Sequence, residues 1–203
     1  MGSYLQGLTM GLAYVAPIGL QNLFVINSAL THSRKRALLT ALIVVFFDIS
    51  LAFGCFFGIG AVMQHLEWLQ KVILFAGSLI VIYIGIGLIR SGADDLESTA
   101  VSSSVWKTIS TACVVTWFNP QAIIDGTMML GAFHATLPAG GSIPFISGVA
   151  TASCLWFTGL TLVISVFSHR FQAKTLRVIN VVCGVVIIFY GLKLLWHFIQ
   201  MIH

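Results

Sequence analysis

A chain of 203 residues that is 58% hydrophobic and only 8% charged is not a soluble globular domain, which carries about 25% charged residues and would aggregate with so apolar a surface. Lipid is the natural solvent for such a composition, and the length suits six spans of ~20 apolar residues with short loops. The net charge of +4 does not mark a nucleic-acid partner, because the basic residues fall in loops where membrane topology accounts for them.

In chain order the apolar segments are Leu5–Leu30, Ala37–Met63, Val72–Ile89, Trp106–Phe133, Phe145–Phe167 and Leu176–Phe198. Several exceed what ~30 Å of hydrocarbon requires, which predicts tilted or kinked helices. The first segment is expected to be a retained span. A cleavable signal peptide opens with a basic region, whereas the first basic residue here is Arg34 and the segment is too long. The loops set the orientation. Arg34, Lys35 and Arg36 lie between segments 1 and 2, Arg90 and Lys107 flank the loop between 3 and 4, and Arg170, Lys174 and Arg177 lie between 5 and 6. Eight of the ten Lys and Arg residues thus share one side, with Lys71 and Lys193 towards the other. The positive-inside rule makes that side cytoplasmic and puts both termini outside. Residues 93–105, with Asp94, Asp95, Glu97 and a Ser/Thr-rich run, read as a flexible cytoplasmic linker within a single transmembrane domain.

The linker separates two related halves, 1–92 and 106–203. Gly77-Ser-Leu-Ile-Val-Ile-Tyr83 matches Gly184-Val-Val-Ile-Ile-Phe-Tyr190 at an offset of 107, Pro17 matches Pro120 at 103, and Gly54 matches Gly159 at 105. Near-constant offsets across three segments indicate a duplication. A duplicated unit with an odd number of spans inserts upside down. The predicted fold is therefore an all-α membrane protein of six transmembrane helices, built as two inverted three-helix repeats, a plan common among secondary transporters.

Helices 1 and 4 are expected to break near Pro17 and Pro120, because a mid-helix proline removes a backbone donor and clashes with the preceding turn. Such breaks are tolerated where they face protein or a water-filled cavity, and matched breaks in two repeats point to the binding site. Around the first lie Gly19, Gln21 and Asn22, and around the second Trp117, Asn119 and Gln121. The amides suit a substrate carboxylate, an ammonium group or the exposed backbone itself. Of six acidic residues only Asp48 and Asp125 fall inside apolar segments, with Asp125 nearer the outer face. Placing Asp at a helix centre costs ~2.5–3.5 kcal/mol, and intramembrane acids usually mark an ion or substrate path. No base lies at mid-depth; Lys193 is nearest and is expected to snorkel outward. Two such acids call for a cationic partner: a metal ion, a proton or a basic organic molecule. Moving one positive charge out against the membrane potential costs ~2.3 kcal/mol per 100 mV. Exchange with an entering proton cancels that cost, and Asp48 and Asp125 are the candidates for proton coupling.

Other residues carry less. Cys55, Cys113, Cys154 and Cys183 lie in apolar segments without C-x-x-C spacing and read as packing. The six histidines form no i,i+4 pair, so no metal site and no cofactor are expected. Trp68, Trp106 and Trp196 suit an interfacial belt, while Trp156 sits mid-span. Gly54 and Gly58 have the small-xxx-small spacing of a close helix contact, within the chain or in a homodimer.

At these residues the sequence resembles the LysE superfamily of amino-acid exporters, in particular its lysine/arginine branch. The matching stretches are Pro17-Ile-Gly-Leu-Gln-Asn22-Leu-Phe-Val, Asp48, Thr116-Trp-Phe-Asn119-Pro120-Gln-Ala-Ile-Ile-Asp125-Gly, Leu155-Trp156-Phe157 and Ile179-Asn180-Val181-Val182. The resemblance runs through nearly the whole chain in order. It implies export of lysine, arginine or analogues from the bacterial cytoplasm, driven by the proton-motive force, with Asn22, Asp48, Asn119, Pro120 and Asp125 in the transport site. One departure is Leu20, where the family pattern has a second proline; it predicts a softer first break. The rival readings are an exporter of neutral amino acids or of a divalent metal, an intramembrane aspartyl enzyme, and a redox subunit. The metal lacks a ligand cluster. The enzyme lacks a G-x-G-D motif and has its two acids at different depths.

Overall fold

The computed structural model describes residues 2–58, 67–90, 104–134, 136–168 and 173–200. Outside them lie most of the linker, with Asp94, Asp95 and Glu97, the end of the second expected segment at Met63, and Arg170; of the side chains of Glu67, Lys174 and Asn180 nothing is described. The described residues form helices and no strand. In order these are α1 (Gly2–Val15), α2 (Leu20–Thr31), α3 (Arg34–Phe56), α4 (Glu67–Arg90), α5 (Val105–Trp117), α6 (Pro120–Gly126), a π-helical turn (Thr127–Gly131), α7 (Ala132–His134), α8 (Ser142–Ser168) and α9 (Ala173–Gln200).

Among the described residues, three stretches are long and apolar enough to cross a membrane unbroken: α3, Ser142–Val166 of α8 and Val181–Gln200 of α9. The first expected span instead divides into α1 and α2, which meet at a bend of 76° and make a fourth crossing if counted together. The fourth expected span is α5, α6, the π turn and α7 in succession. Pro17 and the extended Gly19 (φ −122°) have already left the helix, and Leu20 only opens the next one.

Local chemistry sets the ends. Ser33 caps α3 by accepting from the Arg36 backbone N–H (3.4 Å). Gly58 stops α3 with φ +104°, a left-handed conformation that suits glycine. Gly58 therefore lies in a turn, where an added Cβ would meet nothing within 4 Å, so it makes no close helix contact within the chain.

Other glycines make the close contacts. Gly7 and Gly11 of α1 face Phe145, Val149 and Ala152 of α8; a Cβ on Gly11 would lie 2.8 Å from that of Ala152, and one on Gly7 would strike the Phe145 carbonyl. Gly148 meets the backbone of Tyr4 and Gly7 in return. On the far side Gly85 of α4 and Gly184 of α9 face each other's carbonyl oxygens, at 2.9 and 2.8 Å from the added Cβ atoms. Small residues let backbones approach where lipid supplies no hydrophobic drive between helices. Pairs α1·α8 and α4·α9 are accordingly the most extensively packed. Overpacking a fitted contact costs about 1–3 kcal/mol. Gly7→Ala should therefore lower the thermal unfolding midpoint in detergent, whereas Gly87→Ala, where a Cβ meets nothing, should not.

The outward faces remain apolar, with Phe46, Ile143 and Phe189 all exposed, as lipid-facing helices require. Cys55 and Cys183 are buried, Cys113 is partly buried, and Cys154 is exposed rather than packed inside; all four are free thiols.

Candidate functional site

The first break exposes carbonyl groups that a continuous helix would have used. Asn22 satisfies them: its Nδ2 donates to the carbonyls of Val15 (3.0 Å) and Pro17 (2.8 Å). Its Oδ1 accepts from Trp156 Nε1 on α8 (2.7 Å). Asn22 is buried, and its amide is committed to the scaffold on both sides. It splints the bend. The first turn of α2 has no side-chain cap, and Leu20, Gln21 and Asn22 line a cavity there. The second break is built differently. Asn119 caps α6 itself, accepting from the Ala122 N–H (3.4 Å), and Pro120 stands at the start of that helix, where a missing N–H costs nothing.

The cavity has a volume of about 450 Å³, within the range of small-molecule sites. Both breaks contribute to its wall: Pro17, Gly19, Gln21 and Asn22 from one, Asn119, Gln121 and Asp125 from the other. α9 closes it with Tyr190, Lys193, Trp196 and Gln200. Asp125 Oδ1 accepts from Gln121 Nε2 (2.8 Å), one helical turn back. Gln21 Nε2 donates to Thr116 Oγ1 (3.0 Å), tying α2 to α5. Tyr14 of α1 also lines the cavity, and its buried hydroxyl has no hydrogen-bond partner among the described residues.

Asp48 and Trp117 are not in this wall. Asp48 is fully buried between α3 and α8, where its Oδ2 accepts from Ser153 Oγ (2.6 Å). Its Oδ1 has no partner among the described residues. Gln21 lies next to the carboxylate and lines the cavity, and so connects the two. Trp117 turns towards α3, donating from Nε1 to Ser50 Oγ (3.0 Å) and packing on Leu51, Cys55 and Ile123. No group of three His, Cys, Asp or Glu able to hold a metal ion occurs among the described residues. Sequence reasoning missed Tyr14, Tyr190 and the place of Lys193. The spacing of Tyr190, Lys193 and Leu194 along one face of α9 was the available signal for the last two.

Broken helices meeting at a cavity with a few polar and charged side chains in an apolar wall, in a chain with several apolar crossings, define a multi-pass membrane transporter rather than an enzyme. The chain belongs to the LysE family, whose model, LysE type translocator, matches residues 12–197. It is 33% identical over 196 residues to the arginine exporter protein ArgO of Escherichia coli (strain K12), covering 94% of this chain and 92% of that one. It is 32% identical to ArgO of Klebsiella pneumoniae (strain 342) with the same coverage. With ArgO of Salmonella enteritidis PT4 (strain P125109) it shares 32% over 188 residues, 90% of this chain and 88% of the other. These similarities place it on the arginine-exporter branch of the family. No solved structure matches it.

Proposed function

We propose that the protein exports basic amino acids, arginine foremost and lysine or analogues with it, from the cytoplasm across the bacterial inner membrane in exchange for protons. The observation that carries this reading is Asp125: a carboxylate in the wall of a cavity bounded by both breaks, with one oxygen held by Gln121 and the other open to a cationic group. The arginine-exporter relatives support the substrate class. In this reading the six segments form two inverted repeats with the basic loops in the cytoplasm. The pairing of Asp48 with Ser153, at the 105 offset of the Gly54 and Gly159 match, fits a pseudo-two-fold axis between α3 and α8. The cavity runs from the breaks to the last turns of α9, the side of the termini. At the opposite end Ser28 donates to Thr40 (2.9 Å) and Arg36 to Thr108 (3.0 Å), joining α2, α3 and α5. That pattern supports an outward-facing state closed towards the cytoplasm. Asp48, behind Gln21, is the proton site, and Asp125 holds the substrate cation and shares in the coupling.

The test is efflux of labelled arginine and lysine from preloaded proteoliposomes, with and without a pH gradient. A charge-assisted hydrogen bond contributes about 1.5–3 kcal/mol, so Asp125→Asn should weaken arginine transport roughly 10–100-fold. Wild-type protein, folded and oriented, that moves neither amino acid but moves neutral ones or divalent metal would replace this reading.

A further inference from the structure

Lys193 sits within an apolar helix, where a cation costs ~2.5–3.5 kcal/mol at the centre of a span. Its side chain is exposed and lines the cavity, on the face of α9 that also presents Tyr190 and Trp196. At the offset of 107 that relates Tyr190 to Tyr83, the equivalent position in the first half is Ile86, which lies exposed and lines no part of the cavity. Asp125 lines the same cavity, its Oδ1 held by Gln121, and no ion pair joins it to Lys193 among the described residues. One cation and one anion thus line the same space of about 450 Å³.

We propose that Lys193 receives the α-carboxylate of the substrate while Asp125 receives the cationic side chain, so that the cavity selects a free amino acid by its two ends. The assignment rests on the exporter reading above and adds the requirement for the carboxylate. A basic amine without a carboxylate, or an ester that masks it, would leave the Lys193 ammonium without an anionic partner in the cavity, and a dication would also be repelled by it.

The test compares wild type, Lys193→Gln and Lys193→Arg in proteoliposomes preloaded with labelled arginine, its methyl ester or its decarboxylated amine. The expected result is that wild type moves arginine and moves the two analogues at least tenfold less. Lys193→Gln should lose roughly tenfold or more of its arginine transport, with a raised KM and no loss on the decarboxylated amine; Lys193→Arg should keep arginine. Arginine transport by Lys193→Gln at the wild-type rate, or equal transport of arginine and its decarboxylated amine by wild type, overturns the role of Lys193 and leaves the exporter reading standing. Wild type that moves none of the three overturns both. If Lys193→Gln fails to fold, the wild-type comparison of arginine with its ester decides alone.

Discussion

Asp48→Asn should leave the protein folded and strip arginine efflux of its dependence on the pH gradient. The reason lies in the groups around the carboxylate. Ser153 Oγ is 2.6 Å from Asp48 Oδ2 and 3.3 Å from the Val149 carbonyl oxygen, but a hydroxyl has one proton to give. With Asp48 ionised, Ser153 donates to it. With Asp48 protonated, the acid can donate to Ser153, whose own proton then turns to Val149. Both charge states find a complete set of partners on that side, which is what a proton carrier needs. An asparagine can still accept from Ser153, so packing survives, but it has no proton to exchange. In one-for-one exchange a gradient of one pH unit is worth about 1.4 kcal/mol, or about tenfold in accumulation. That factor should fall to about one in the variant, read as the ratio of efflux with and without the gradient. A variant that keeps the wild-type ratio would move the proton site elsewhere, to Asp125 first. Ser153→Ala, which removes the switchable partner, should reduce the ratio with less effect than Asp48→Asn.

Asn22→Ala should be the most destabilising single substitution at the site. It strands the Val15 and Pro17 carbonyls and the Trp156 indole N–H together. Leaving a buried polar group unsatisfied costs about 1–3 kcal/mol, so three of them sum to about 3 kcal/mol or more. Asn22→Asp is nearly isosteric and can still accept from the Trp156 indole N–H, but once ionised it cannot donate to either carbonyl, so it should not restore the bend. Both variants should show a lowered unfolding midpoint in detergent and lose transport. Normal stability in Asn22→Ala would mean that water, rather than Asn22, serves the broken helix.

The places where the helices break were legible because proline acts through its own backbone: Pro17 and Pro120 remove donors whatever surrounds them. The buried acid was legible too, since Asp48 stands out in an apolar run. Side-chain roles were less so. Asn22 and Asp125 occupy equivalent positions in the repeat, five residues after Pro17 and Pro120. Nothing in their spacing says that one amide is spent on the bend while the other side chain lines the cavity. That depends on Trp156, far away in the chain. The membership of α9 in the cavity was hidden for another reason. A helix that meets lipid on one side and protein on the other is apolar all round, so its rotation leaves only a weak trace, and Lys193 reads as a snorkelling residue. The π turn after α6 left no signal recognised in the sequence, while Gly7 and Gly11 carried a small-xxx-small spacing that the Gly54 and Gly58 pair overshadowed.

The glycine contacts have a mechanical consequence. Backbones locked together as α1·α8 and α4·α9 have almost no slack to slide, so each pair moves as one lever. The cavity wall draws on α1 from the first lever and on α9 from the second. A small rotation of one against the other would narrow the cavity without disturbing the glycine contacts inside either pair. The give then has to come from the bent and π-helical stretches between them, where short helices meet without a long packed seam.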